Sequence, residues 1–175
     1  AEAFILLLPT IPFLYYGDEI GLPYREGLTS KEGGFFRTGS RSPMQWTAGK
    51  NRGFSETDGE LYLPVDESAA SPDVAAQEKD ENSILNMVRK LIALRKEHEE
   101  LQTGENFEVL YAEKGRYPFV FRRGSFVVAV NPCGKAAEAP LNGEYEAVFS
   151  VNAAAKAENG TVQVPPVSLT LFKAR

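Results

Sequence analysis

With 175 residues, 43% of them hydrophobic, the chain has material for one ordinary domain or two small ones around a real core. Its formal net charge of -5 offers no basic surface for phosphate backbones or anionic headgroups, so nucleic acid is excluded as an expected partner. A lone cysteine, Cys133, cannot close an internal disulfide and suits a reducing, cytoplasmic compartment; no apolar run reaches the roughly 20 residues of a membrane-spanning helix, so no membrane partner is expected.

The opening AEAFILLLPT has an apolar block but neither a positive leader nor a small-residue cleavage site, which reads as a helix through Leu8 and not as a signal peptide. An uncapped apolar start of this kind looks like the tail of a buried segment. Pro9 and Pro12 end the helix before FLYYG, an aromatic run suited to a buried strand. From Gly17 to Leu63 the chain is rich in Gly, Ser, Thr and charge, and Gly33-Gly34, Gly39, Gly49, Gly53 and Gly59 break every periodicity. Loops of this length are functional or disordered, and Phe35, Phe36, Trp46 and Phe54 argue against disorder.

Ser71-Pro72 supplies a helix start, with Ser71 as N-cap and Pro72 at the first helical position, and Asp80 can cap again. The following SILNMVRKLIALRKEHEEL places Ile84, Val88, Leu91 and the Arg95 stem on one stripe, widened by Leu85, Ile92 and Leu94, with Thr103-Gly104 as the stop. Beyond Gly104 come short β-prone runs: FEVLYA, YPFVFRR, SFVVAVN, YEAVFSV, TVQV and VSLTLFK. Arg123-Gly124, Asn142-Gly143 and Asn159-Gly160 each suit the positive backbone angles of a hairpin turn. In the last run Val167, Leu169 and Leu171 share one face, with Ser168, Thr170 and Lys173 off it. These runs predict a small antiparallel sandwich or barrel.

Paired carboxylates are the usual tool for cleaving a glycosidic bond, held about 5 Å apart and facing one another in retaining enzymes. Asp18 and Glu19 are adjacent, and neighbours leaving a strand point to opposite faces, so they are expected to bond loop backbone or pair with an arginine. His98 is the only histidine and sits near a helix end without partners at triad or metal spacing. No Cys/His cluster, phosphate-cradling loop or serine elbow is visible. Two arginines stand out in RTGSRSPMQW. A guanidinium is a planar fork of donors, able to bridge a carboxylate and sugar hydroxyls, and the Ser-Pro step after Arg41 favours extended backbone that would aim it. Arg37 and Arg41 either brace the loop against acidic neighbours or face a ligand.

PFLYYGDEIG at Pro12 to Gly21, RTGSRSPMQW at Arg37 to Trp46, GFS at Gly53 to Ser55, LPV at Leu63 to Val65 and NSILNMVRKLIALRKEH at Asn82 to His98 occur in that order. The series resembles the carboxyl-terminal part of an α-amylase-family (glycoside hydrolase family 13) enzyme, nearest the α-glucosidase, oligo-1,6-glucosidase and trehalose synthase branch. The resemblance implies an α+β chain: a remnant of the last (β/α)8-barrel unit over residues 1–104, then an antiparallel β-sandwich, domain C, over 105–175. Within the remnant, Ala1 to Leu8 would end the seventh barrel helix, Pro12 to Tyr16 would be the eighth strand and Asn82 to Thr103 the eighth helix. The loop between would lie over the active-site face.

Arg41 matches the arginine of the family's ARTPMQW motif and would contact the sugar where the bond is cut; Arg37 matches the arginine before it. Family members usually have Gly-Thr-Pro where this chain has Thr10-Ile11-Pro12, and often Asp where it has Thr47, which removes a salt-bridge partner. The family's nucleophile, acid/base and third carboxylate follow earlier barrel strands that have no counterpart here, so no catalytic residue is assigned. The expectation is an inactive fragment of a retaining α-glucoside hydrolase or transglycosylase, with an α-glucoside as the substrate of the parent. No cofactor or metal is implied; some members bind calcium, but no loop here is dense in oxygen ligands. The alternative is a stand-alone β-sandwich that binds carbohydrate or a partner, which calls for an exposed row of aromatic rings. Phe119, Phe121, Phe126 and Phe149 instead sit in apolar strands and read as core. A lone barrel strand would expose its backbone edges, so self-association of the chain is expected.

Overall fold

The computed structural model describes residues 1–30, 33, 36–102 and 104–175, so Phe35 and parts of the Gly33-Gly34 and Thr103-Gly104 breaks lie outside the described residues. Two compact units are present: Phe13–Lys90, and Leu91–Arg175 together with Ala1–Pro12.

In the second of these, α1 (Glu2–Leu7) ends at Leu8, whose extended backbone leads into Pro9. Among the described residues eight strands follow: β1 (Phe107–Tyr111), β2 (Phe119–Arg123), β3 (Phe126–Asn131), β4 (Ala137–Pro140), β5 (Tyr145–Val151), β6 (Lys156–Glu158), β7 (Thr161–Val164) and β8 (Ser168–Ala174). They form a five-stranded sheet in the order β1-β2-β3-β8-β5 and a three-stranded sheet in the order β4-β7-β6, antiparallel throughout. Val120, Val127 and Phe172 meet Ala139, Val162 and Val164 between the sheets, which makes the expected sandwich.

Side chains alternate across a strand, so the residues flanking Val120 point to the opposite face of the larger sheet. There the Phe4 ring of α1 meets Phe119 and Phe121 edge-on, each at 6.3 Å, and His98 lies 4.8 Å from Phe126. Covering on both faces corrects the expected one-sided pattern of the last run. Ser168 and Thr170 are buried along with Leu169 and Leu171, and they keep their hydroxyls paired: Thr170 accepts from the Ala155 amide and Ser168 donates to Pro165 O. Val167, expected on the apolar face, precedes the strand and is exposed, with φ 46°.

β4 and β6 have no strand-like sequence. They read AEAP and KAE, and they are recruited by pairing to the two edges of β7. Of the turn dipeptides, Asn159-Gly160 has positive φ at both positions (52° and 76°) and closes the β6–β7 hairpin, and Gly124 (φ 56°) turns β2 into β3. Asn142-Gly143 closes no hairpin, because β4 pairs with β7 and β5 with β8; it carries the chain from one sheet to the other.

Two arginines bind α1 to this unit. The last carbonyls of a helix lack intrahelical donors, and here guanidinium groups supply them. The buried Arg123 donates to Leu7 O (2.9 Å) and Glu100 O (3.2 Å), while Arg95 donates to Leu6 O (2.6 Å) and Thr10 O (3.0 Å). Burial, and then the neighbouring Arg95 charge, lower the pKa of Arg123, but a guanidinium starts so high that it stays charged. The Glu100 carboxylate in turn accepts from the Ser125 hydroxyl (2.7 Å) and amide (3.2 Å), which holds the β2–β3 turn.

α3 (Ile84–Glu97) is the helix foreseen from periodicity, with two corrections. Its buried stripe is Leu85, Val88 and Leu91, and Ile84 is exposed. The helix also ends at Glu97, ahead of the expected stop: His98 is extended, and Glu99–Leu101 forms a 3-10 turn.

In the unit Phe13–Lys90, Ile20, Met44 and Leu85 form a small core with Leu22 and Val74 beside it. α2 (Val74–Lys79) starts two residues later than expected, with Asp73 as N-cap accepting from the Ala76 amide at 2.8 Å. Ser71 is not the cap because its hydroxyl accepts from buried Gln45. The expected strand at FLYYG is also absent: Pro12 to Tyr15 joins no ladder. A strand is made by its neighbours, and the chain supplies none there.

Arg123→Met keeps most of the side-chain volume but leaves Leu7 O and Glu100 O without their charged donors. The expected loss is about 3 kcal/mol in urea denaturation, and Arg123→Lys should recover only part of it.

Candidate functional site

Within Phe13–Lys90, one irregular segment presents most of the polar chemistry. Phe36–Arg41 forms a 3-10 helix with Thr38 and Gly39 buried and Arg41 at its end. Gly39 is required sterically: an added Cβ would lie 2.1 Å from Arg25 O and 2.7 Å from the Tyr24 ring. The Arg25 amide donates to Gly39 O (3.0 Å), the Tyr24 hydroxyl to Phe36 O (2.5 Å) and the Arg25 guanidinium to Pro64 O (2.5 Å). The piece carrying Arg41 is thereby tied to two other parts of the loop.

Ser42 to Gln45 are buried. Gln45 is fully enclosed, and its Nε2 donates to Ser71 Oγ (2.5 Å) and Pro72 O (2.8 Å). Its carbonyl accepts from the Val74 amide (3.1 Å) and the Trp46 carbonyl from the Ala75 amide (3.0 Å). Two orphan amides at the start of α2 are therefore satisfied by this motif. Trp46 and Thr47 both donate their amides to Arg52 O, at 2.8 and 3.1 Å.

Arg52 lies in a run of left-handed residues, Asn51, Arg52 and Gly53, with φ of 45°, 55° and 69°. Such backbone is costly for the first two and persists only where surroundings enforce it. Asn51 Nδ2 donates to Ser55 O (3.0 Å) and Thr57 O (2.9 Å), and Arg52 donates through Nε to Asp66 O (2.9 Å) and through Nη2 to Ser68 O (2.7 Å).

The result is a cleft of about 420 Å³, within the range of small-molecule sites, lined by Tyr16, Glu19, Arg41, Trp46, Phe54 and Tyr62 together with Pro43, Met44 and Leu63. Of the two arginines singled out in the sequence, the fold brings Arg41 to this cleft. Arg37 is exposed and outside its lining. Among the described residues, no hydrogen bond or ion pair engages the Arg41 guanidinium. The Tyr16 hydroxyl donates to Ser42 O (3.2 Å); burial raises its pKa most, Tyr15 raises it further, and the Arg41 charge opposes both. A larger opening of about 740 Å³, bordered by Arg25, Asn51, Glu60 and Glu67, shares Tyr62 and Leu63 with the first.

Asp18 and Glu19 behave as expected for loop carboxylates. Asp18 accepts from the Tyr15 amide (3.0 Å) and Glu19 from the Gly17 amide (2.7 Å), so the two do not converge on one point. His98 is a half-buried helix-end residue. Three contributors were not read from the sequence. Gln45 looks like any loop amide, Tyr62 is a single aromatic within the short apolar run LYLPV, and Glu19 reaches the cleft only through the fold. The left-handed turn had a faint signal in the Gly that closes Asn-Arg-Gly.

Residues 1–104 match the alpha-amylase catalytic domain, and the chain belongs to the alpha-amylase family. It is 40% identical over 107 residues to a trehalose synthase/amylase of Mycolicibacterium smegmatis, an overlap of 58% of this chain and 17% of that protein. A probable oligo-1,6-glucosidase of Bacillus subtilis is 31% identical over 149 residues, covering 69% of this chain and 26% of the relative. Both places fit the α-glucosidase and trehalose synthase branch. The chain thus spans well under a third of the length of these relatives. In fold it is similar to an isomaltulose synthase variant from Erwinia rhapontici in complex with D-glucose, with a TM-score of 0.80 at 21% identity, over 99% of this chain and 37% of that one.

Gly39→Ala should displace the 3-10 helix that ends in Arg41, because the obstructing atom is a backbone carbonyl. A loss of about 2 kcal/mol is expected, read as faster amide hydrogen exchange across residues 36–46.

Proposed function

We propose that this chain supplies the sugar-contacting arginine loop and the C-terminal sandwich of an enzyme that hydrolyses or transfers α-glucosidic linkages with retention. The observation that carries this reading is Arg41: a guanidinium held at a cleft by a braced loop, with its donors directed to no partner among the described residues. Its planar fork suits two hydroxyls of one sugar ring, or one hydroxyl and a carboxylate. Family membership and the names of the relatives, a trehalose synthase/amylase and an oligo-1,6-glucosidase, support an α-glucoside as substrate. An isomaltulose synthase of similar fold has sucrose as its natural substrate.

In the retaining mechanism one carboxylate attacks the anomeric carbon as the other protonates the departing oxygen. Water, or a sugar hydroxyl in transfer, then displaces the first carboxylate and gives its proton to the second. Asp18 and Glu19 do not form such a pair, since each is bound to nearby loop backbone. The reading therefore places the reacting carboxylates outside this chain, with Arg41 holding the sugar they act on. The sandwich is a structural domain in this reading, as Phe121 and Phe126 are fully buried and unavailable for stacking.

Incubated with maltose, isomaltose or trehalose, the chain is expected to release no glucose and form no isomeric disaccharide; turnover of any of them would overturn the assignment of the carboxylates. Ile11 and Phe13, 80% and 85% exposed, are where the isolated chain would self-associate. Sedimentation velocity should show the apparent mass rising with concentration, and a monomer at all concentrations would refute that expectation.

A further inference from the structure

In the sandwich Phe121, Phe126 and Phe172 are core, whereas a group of rings with the opposite character lies in the loop unit. Trp46, Phe54 and Tyr62 are 49%, 49% and 50% exposed, and Tyr16 is 42% exposed. All four line the cleft that holds Arg41. Large apolar side chains left half in water at one concave place mark a surface for a ligand with apolar faces. Clustering of flat rings beside a guanidinium and a carboxylate, Glu19, narrows the chemistry. A pyranose presents apolar C–H faces above and below a rim of hydroxyls, and this cleft offers stacking planes for the first and charged hydrogen-bonding groups for the second.

The rings are also held in place. Trp46 is fixed on its backbone by Arg52 O and the Ala75 amide. Phe54 follows the left-handed turn at Asn51, Arg52 and Gly53, which closes with the Phe54 amide donating to Asn51 O at 3.0 Å. That turn is tight against the indole: a Cβ on Gly53 would lie 3.2 Å from Trp46 Cβ. Strained backbone that sets two exposed rings at one cleft is the arrangement expected of a ligand site rather than of a core.

We infer that Trp46, Phe54 and Tyr62 form a stacking wall for a glucoside ring beside Arg41, and that they are specificity-determining residues of this site. The inference rests on the reading of Arg41 as a sugar contact. It goes beyond it in assigning binding energy to the aromatic residues and in expecting the loop unit to hold sugar in this chain, without the rest of an enzyme.

Trp46 is the chain's only tryptophan, so its fluorescence reports on this wall alone. The experiment is titration of the intact chain with maltose, isomaltose and trehalose up to high millimolar concentration, followed by indole emission, acrylamide quenching and calorimetry, with glycerol as control. Expected is a saturable shift of the emission to the blue with protection from acrylamide. Phe54→Ala and Tyr62→Ala should each weaken binding by roughly tenfold, while Phe54→Tyr and Tyr62→Phe retain it. Saturable heat that Arg41→Ala abolishes, but with indole emission unmoved and the alanine variants unchanged, would overturn the wall and leave Arg41 as the sugar contact. No saturable signal with any of the three sugars would overturn the wall in this chain.

Discussion

An irregular loop can hold a side chain in place only when its backbone groups are paired, and in the unit Phe13–Lys90 that pairing runs through Gln45. The buried amide donates to Ser71 and Pro72, and the carbonyls of Gln45 and Trp46 receive the first amides of α2. Helix α2 thus begins where the motif permits it. The motif in turn is positioned by a helix that, at its length, would be marginal alone. Arg41 and Trp46 flank this buried stretch and inherit its rigidity, which is how a segment without strands can present a defined cleft.

The same requirement is met in the sandwich unit by charge. The free carbonyls at the end of α1 would be costly to bury, and Arg95 and Arg123 reach them from a helix and from a strand. With α1 held by its end, Phe4 closes the outer face of the five-stranded sheet. The central strands of the sheet are then covered on both sides, so Phe121, Phe126 and Phe172 are structural. The cleft that gathers Tyr16, Trp46, Phe54 and Tyr62 around Arg41 lies in the loop unit, and that grouping is what ties the proposed sugar chemistry to Arg41.

The family assignment and the geometry agree at one point of detail. The motif that carries the resemblance, Arg37 to Trp46, is also the best-braced part of the loop, with Gly39 admitting no larger residue and Gln45 no exposure. Gly39 and Gln45, which look like signature residues in the sequence, are here each explained by a contact. The exception is Arg41, whose donors have no described partner and whose role is accordingly referred to a ligand.

Much of this was determined by the sequence alone. The stripe through Val88 and Leu91 marked α3, β-branched and aromatic runs marked β2, β3, β5, β7 and β8, and Asn159-Gly160 marked its hairpin, because each depends on neighbours within a few residues. The ordered motifs were enough to place the chain in its family. Tertiary structure decided the rest. It made strands of the alanine- and glutamate-rich β4 and β6 because β7 lay between them, and it left FLYYG unpaired because no strand stood beside it. It moved the cap from Ser71 to Asp73 because Gln45 claimed the serine, and it gathered Tyr16, Arg41, Trp46, Phe54 and Tyr62 around one cleft. Local propensity is a property of adjacent residues, whereas pairing, burial and convergence are set by partners distant in the chain, and only the fold brings those together.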